Sequence, residues 1–316
     1  MSGMRGAGSI KTMTRGAYDL QKLRIQTGNR IVGSFKVKLG QAPTESEEAL
    51  DAEGKKILLD LRRSYKKITD GITTLPTLKK FKGDELISTF AELVLVDTYI
   101  RLEREEEKNF RLLEKILEDV PIYAQFLKKV RGCGSAMSGV IISEIDITKA
   151  KYASSLWMYA GLDVAPDGQG RSRRKEHLVP TDYIKKDGTE AVRQGITFNP
   201  FLKTKLVGVL AGSFLKQGND NTYSIIYYNY KNRIENMVVH ADKSKGHRHA
   251  MCLRYTIKRF LCDLYVVWRT IEGLPVEKEY GEAKLGHVHS GAQTPYVPVI
   301  PKSAPPESQL GITPNL

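Results

Sequence analysis

Residues 85–117 contain neither glycine nor proline, and this unbroken stretch is the strongest single constraint on the fold. A segment of that length without a breaker predicts a helix, extending about 50 Å at 1.5 Å per residue. Its first half is apolar nearly all round (Leu86, Ile87, Phe90, Leu93, Val94, Val96) and should be buried. Residues 101–108 read Arg-Leu-Glu-Arg-Glu-Glu-Glu-Lys, a run expected to form a solvated charged face. Phe110, Leu113, Ile116 and Leu117 then resume the apolar stripe. Such a helix needs helical partners, in a bundle or a coiled coil.

The flanking sequence predicts those partners. Residues 17–38 suit a helix, or two short pieces broken at Gly28-Asn29 and Gly33. Thr44 followed by Glu47 makes a capping box for a helix over 47–68, and Asp84 is placed to cap the long helix. Further on, Asn199-Pro200 marks a helix start, with Gly218 beyond its end. Asp220 or Asn221 caps a helix over 222–239. The last helix spans about 248–271 and closes at Gly273, with Leu253, Ile257, Phe260, Leu261, Leu264, Trp268 and Ile271 as its core stripe. Tyr223, Tyr227, Tyr228, Tyr230 and Tyr255 are expected to serve mainly in packing around it. No convincing series of alternating strands stands out. The expected class is therefore mainly α: a flexible basic arm (1–16), a helical bundle or coiled coil (17–118), a second helical domain (119–285) and an extended proline-rich tail (286–316). Within the second domain, 164–187 is polar and rich in Gly, Pro and Arg, which suggests a long functional loop.

Charge narrows the partner. The 49 Lys+Arg against 36 Asp+Glu give a net charge of +13, and the sequence pI is about 9.4. This excess favours a polyanion through counterion release. Cys133, Cys252 and Cys262 form no CxxC, so a disulfide scaffold is not implied and a reducing compartment fits. The longest apolar stretch, 206–215, is about half a membrane span, and the N-terminus lacks a signal-peptide core. A cytoplasmic protein with no membrane partner is expected. No phosphate-binding P-loop motif is present, so nucleotide hydrolysis is unsupported. The pairs His247/His249 and His287/His289 lack a Cys pair or an HExxH motif beside them, and neither a metal site nor any other cofactor is evident.

The stretch 126–142 carries the most specific chemistry. Gly132 and Gly134 sit one residue apart between apolar helical segments, followed by small residues at Ser138 and Gly139 and an aliphatic run. A helix-hairpin-helix element needs this arrangement. Its glycines permit a tight turn that brings backbone N–H groups against a phosphate, and the second helix presents its positive end. Lys128, Lys129, Arg131, Gly132, Gly134 and Ser135 are the expected contacts here, touching backbone phosphate rather than base edges. An ordinary helical corner with a glycine cap accounts for the same residues.

The chain then continues Ser143-Glu144-Ile145-Asp146 and Tyr152-Ala153-Ser154-Ser155-Leu156-Trp157-Met158-Tyr159-Ala160-Gly161-Leu162. Together with the Arg131-Gly132-Cys133-Gly134 turn, Pro166, the stretches 196–199 and 202–206, and a closing basic helix with Arg248, Lys258 and Arg259, this resembles the C-terminal transposase domain of the IS-one-ten insertion-sequence family. That family includes the Piv DNA invertase. The resemblance covers about 120–268. It implies a DNA partner, a guide RNA, and a catalytic serine in the loop after the Gly-Leu segment, where Ser172 is the serine present. Arg171, Arg173, Arg174 and Lys175 around it, Lys203 and Lys205 after it, and Arg254 and Lys258 on the last helix complete the expected DNA-binding set. Two departures stand out. The family's N-terminal nuclease domain, with four acidic residues on a strand-rich fold, has no counterpart in 1–118, so Mg2+ enters only if such a domain acts in trans. Ser172 is flanked by arginines where the family has glycine. Three readings follow: a serine-dependent transposase or recombinase, a non-catalytic DNA-binding relative, and a helical oligomeric scaffold. A homo-oligomer is expected.

Overall fold

A computed structural model describes residues 3–40, 52–278 and 280, and the protein it shows is mainly helical. The described chain forms two compact units. The first takes the residues up to Val120 together with Ser135–Ile145; the second takes Pro121–Gly134 and the residues from Asp146 onward.

The first unit is built on α1 (Gly3–Lys38), α2 (Ala52–Ile68) and α3 (Phe90–Leu117). The long helix begins later than its breaker-free stretch suggests. Thr89 caps it, accepting from the Glu92 amide while the Glu92 carboxylate accepts from the Thr89 amide. Asp84 instead closes a turn ahead of it, accepting from the amides of Leu86 and Ile87. Ile87 and Leu93 meet Leu58 and Leu61 of α2 and Ile31 and Val32 of α1 in one apolar core.

Three expectations in this unit are corrected. Residues 3–16 of the expected arm are helical, because α1 runs from Gly3, with Ile10, Thr14 and Ala17 buried. Helix α1 is not broken at Gly28 or Gly33, although each interior glycine costs about 1 kcal/mol relative to alanine. Packing against α3 and α5 (Ser135–Glu144) outweighs that propensity. The charged run on α3 is not wholly solvated: Glu106 is buried, holding Arg24, and Glu103 pairs with Arg62. The Thr44–Glu47 capping box lies outside the described residues, as does the tail with His287 and His289.

In helix α5, Met137–Ile142 is buried throughout. Gly139 lies against Leu113 of α3 and Thr14 of α1, and an added Cβ would come within 2.8 Å of both. At its end the Glu144 carboxylate accepts from Arg15 Nε at 3.1 Å and Nη2 at 2.7 Å.

The second unit contains α4 (Pro121–Gln125), a 3-10 turn (Leu127–Lys129), α6 (Ala153–Tyr159), strands β1 (Val179–Ile184) and β2 (Glu190–Gly195), and helices α7 (Pro200–Lys203), α8 (Ala211–Lys216), α9 (Thr222–Glu235) and α10 (Lys245–Ile271). Asn199 caps α7 with Pro200 at its first position, as expected, but the helix passes through a π-wound stretch, Thr204–Leu210, before α8. Asn221, not Asp220, caps α9, and Ser244 caps α10. Tyr230 stacks on Tyr255 of α10 with centroids 4.0 Å apart, and Tyr223 donates to Asp263 at 2.9 Å, so these tyrosines pack the last helix.

The two strands were not expected. They pair antiparallel from Val179↔Gly195 to Ile184↔Glu190, across a turn at Gly188 with φ +83°. Most of their residues are exposed, so no alternation of apolar and polar positions marks them. Asp187-Gly188 is the turn signal that the sequence does carry.

Candidate functional site

The glycine turn is half of the expected element, and its residues divide between the two units. Gly132 has φ +93°, a left-handed conformation that disfavours any side chain. It packs on α8, where an added Cβ would lie 3.2 Å from Phe214 and Gln217. Its carbonyl accepts from Ser213 Oγ at 2.8 Å, and the Arg131 carbonyl accepts from Asn221 Nδ2 at 3.1 Å. The Arg131 guanidinium reaches Asp220 at 2.9 Å and the Gln217 carbonyl at 2.8 Å, closing the C-terminal end of α8. Lys128 and Lys129 are exposed on the 3-10 turn, and Gly134 is exposed at the end of this segment. Ser135 begins α5 in the first unit. The helical piece before the turn and the helix after it therefore belong to different cores, because the buried α5 is recruited by α1 and α3.

A second set of predicted residues, distant in sequence, comes together inside the second unit. Its foundation is a tight loop after α6. Gly161 turns the chain at φ +64°, with Phe198 against its α-carbon. The amide of Arg171 then donates to the Asp163 carbonyl at 3.0 Å, Ala165 to Gln169 at 2.8 Å, and Gln169 to the Asp167 carboxylate at 2.9 Å. The stretch expected to be a long loop is thus an ordered hairpin followed by the β1–β2 ribbon.

This hairpin is fastened to α7 and α10 by cations. The Arg171 carbonyl accepts from Lys203 Nζ and, at 3.4 Å, from Arg254 Nη2. Arg254 lies so close to Gly170 that a Cβ there would sit 1.7 Å from its Nη1. The Arg171 side chain grips the Asp163 carboxylate through Nε and Nη2 at 3.0 and 2.8 Å. One turn beyond Arg254, Lys258 lies over the Trp157 ring, 5.1 Å from its centroid. Arg171, Lys203, Arg254 and Lys258 all feel the field of Asp163.

Only Arg171 pairs with Asp163, so Lys203, Arg254 and Lys258, which feel its field without an ion pair to it, leave an excess of positive charge in a half-buried place. Burial, reinforced by Arg254, pushes the Lys203 ammonium down to about 8. Burial also lowers the proton affinity of Lys258, and Arg254 is lowered by the same cause. Arg173 adds to the field at Lys203; it, Arg174 and Lys175 are exposed along the outer edge of the loop. Lys205 stands one residue into the π-wound turn, over the Phe201 ring and lowered by burial.

Ser172 follows the clamped carbonyl directly. Its Oγ lies 3.0 Å from His177 Nδ1, and its amide donates to the same nitrogen at 2.9 Å. On the other side of the ring, His177 Nε2 lies 2.9 Å from Asp167 Oδ2. The hydrogen bond from His177, with that from the Gln169 amide, holds the Asp167 carboxyl below the usual carboxylate range. His177, the last residue of a short 3-10 turn (Lys175–His177), is 2% exposed. Neither His177 nor Asp167 was singled out from the sequence. The signal available was their even placement, five residues to either side of Ser172. No protein-family model, curated protein or solved structure matches the chain.

Proposed function

We propose that the second unit binds DNA through its phosphates at the 163–177 hairpin, and that Ser172 attacks a phosphodiester there in a strand-transfer reaction of the transposase or recombinase type. The observation that carries this reading is the excess of desolvated cations at the Arg171–Ser172 peptide. Half-buried like charges repel, and a phosphate oxyanion placed among them converts that repulsion into attraction. The chain's net charge of +13 supports a polyanion as the source of the phosphate.

Lys203 and Arg254 hold the carbonyl just before the serine, so they fix the backbone from which its hydroxyl projects. Their remaining N–H donors, with those of Arg173 and Arg174, suit the charge that grows on phosphoryl oxygens as the serine attacks. The contacts are to backbone phosphate, so this surface by itself reads little sequence.

Binding is tested by titrating labelled duplex and single-stranded DNA at several salt concentrations. Affinity is expected to fall steeply with salt, and Lys203→Ala with Arg254→Ala should flatten that slope. An absence of binding at low salt would instead favour a helical scaffold. Strand cleavage and covalent protein–DNA adducts, compared between the wild type and Ser172→Ala, test the chemistry. Binding without adducts in the wild type would leave a non-catalytic DNA-binding protein.

A further inference from the structure

We propose that His177 is the proton acceptor for Ser172 and that Asp167 positions and charge-balances its ring. The inference deepens the reading of Ser172 as a phosphoryl-attacking nucleophile by naming the group that activates it. It rests on three distances: 3.0 Å from Ser172 Oγ to Nδ1, 2.9 Å from the Ser172 amide to Nδ1, and 2.9 Å from Nε2 to Asp167.

The backbone amide settles the tautomer. An N–H can only donate, so the Nδ1 that receives it carries a lone pair, and the ring proton sits on Nε2, facing the carboxylate. The neutral ring therefore turns its basic nitrogen toward the serine hydroxyl. The lone pair is shared between the Ser172 amide and the hydroxyl, and when it takes the hydroxyl proton it becomes the new N–H bond and the amide gives up that acceptor. The imidazolium that forms is buried, but Asp167 is hydrogen-bonded to its far side. This is the relation of nucleophile, base and orienting carboxylate used in serine catalysis, with the two ring nitrogens exchanged.

A purely structural staple explains the Asp167–His177 contact and the amide bond. It predicts no reactivity at the hydroxyl that shares the same nitrogen, and that is what separates the two readings. The amide of Arg174 also donates to Ser172 Oγ, at 3.3 Å, a contact that strengthens as negative charge builds on that oxygen. In the step itself Oγ forms a bond to phosphorus and its proton moves to Nδ1. The bond from phosphorus to the departing sugar oxygen breaks, the electron pair leaves with that oxygen, and Nδ1 returns the proton to it. No metal, oxidant or reductant enters the balance.

Diisopropyl fluorophosphate tests this without DNA, because it phosphorylates a serine only when the hydroxyl is activated. Oγ–P forms, P–F breaks, and the proton held by His177 passes to solvent. The full-length protein is treated with the reagent, and the labelled peptide and its rate of formation are read by mass spectrometry. Labelling of Ser172 is expected in the wild type and should be lost in Ser172→Ala. In His177→Gln, whose amide oxygen can still receive the Ser172 N–H, it should slow by at least ~100-fold at an unchanged melting temperature. Asp167→Asn should slow it by a smaller factor. A wild-type protein that is not labelled at Ser172 overturns the proposal whatever the variants do, and so does equal labelling in a folded His177→Gln. Labelling that depends on His177 in a protein that binds no DNA would instead count against the function proposed above and leave the base assignment standing.

Discussion

Both units contain matched ion pairs, but a surplus of half-buried cations stands out in the second. In the first, Arg15 meets Glu144, Arg24 meets Glu106, Lys38 meets Glu92 and Arg62 meets Glu103, so each of these cations is matched to a carboxylate from another part of the chain. In the second, Arg171 takes Asp163, while Lys203, Arg254 and Lys258 feel the field of that carboxylate without an ion pair to it. Matched pairs neutralise themselves and register helices against one another. A cluster with surplus charge is a standing cost in the folded protein that a ligand of opposite sign removes. The contrast separates charge that is cancelled within the fold from charge left in surplus, a distinction that net charge alone does not make.

Three experiments can break or sharpen that contrast. The largest effect on stability is expected from Glu106→Ala, which strands Arg24 among α1 and α3 and should cost about 3 kcal/mol. Chemical denaturation measures it, and a loss near zero would mean that these pairs do not hold the first unit together. Gly170→Ala should do the reverse. The new methyl displaces the Arg254 guanidinium, a flexible group, so the melting temperature should hardly move while DNA affinity falls several-fold. If affinity is retained, Arg254 is not part of the surplus.

The smallest effect is a dependence on pH with two opposite signs. Lys203 titrates near 8 in the folded protein against 10.5 as its ordinary value. Between those values the folded state has released a proton that the unfolded chain still holds, so stability of the DNA-free protein should rise with pH across this window. DNA affinity should fall over the same window, because the neutral amine no longer draws phosphate. Lys203→Arg should flatten both curves. Slopes that persist in that variant would assign the titration to another group.

Much of the helical plan is legible in the residues: Asn199-Pro200 and Asn221 begin helices, Gly218 and Gly273 lie beyond helix ends, and the stripe from Ile257 to Trp268 forms the buried face of α10. The β1–β2 ribbon is not, because strands with no buried face carry no alternation to read. The continuity of α1 is hidden by its glycines, whose local preference is overruled by partners distant in sequence. At the site, Ser172 and its arginines are conspicuous as a run, and Lys203, Arg254 and Lys258 are legible only as basic residues.

The order of residues by itself marked several helix ends, at Asn199, Gly218, Asn221 and Gly273, and set how much positive charge the chain carries, since capping, glycine geometry and composition act over a few residues or none. Only the tertiary structure decided which charges are cancelled and which are pooled, and that α5 joins the first unit. Both outcomes depend on distances between side chains that are dozens of residues apart, and those distances exist only once the cores have packed.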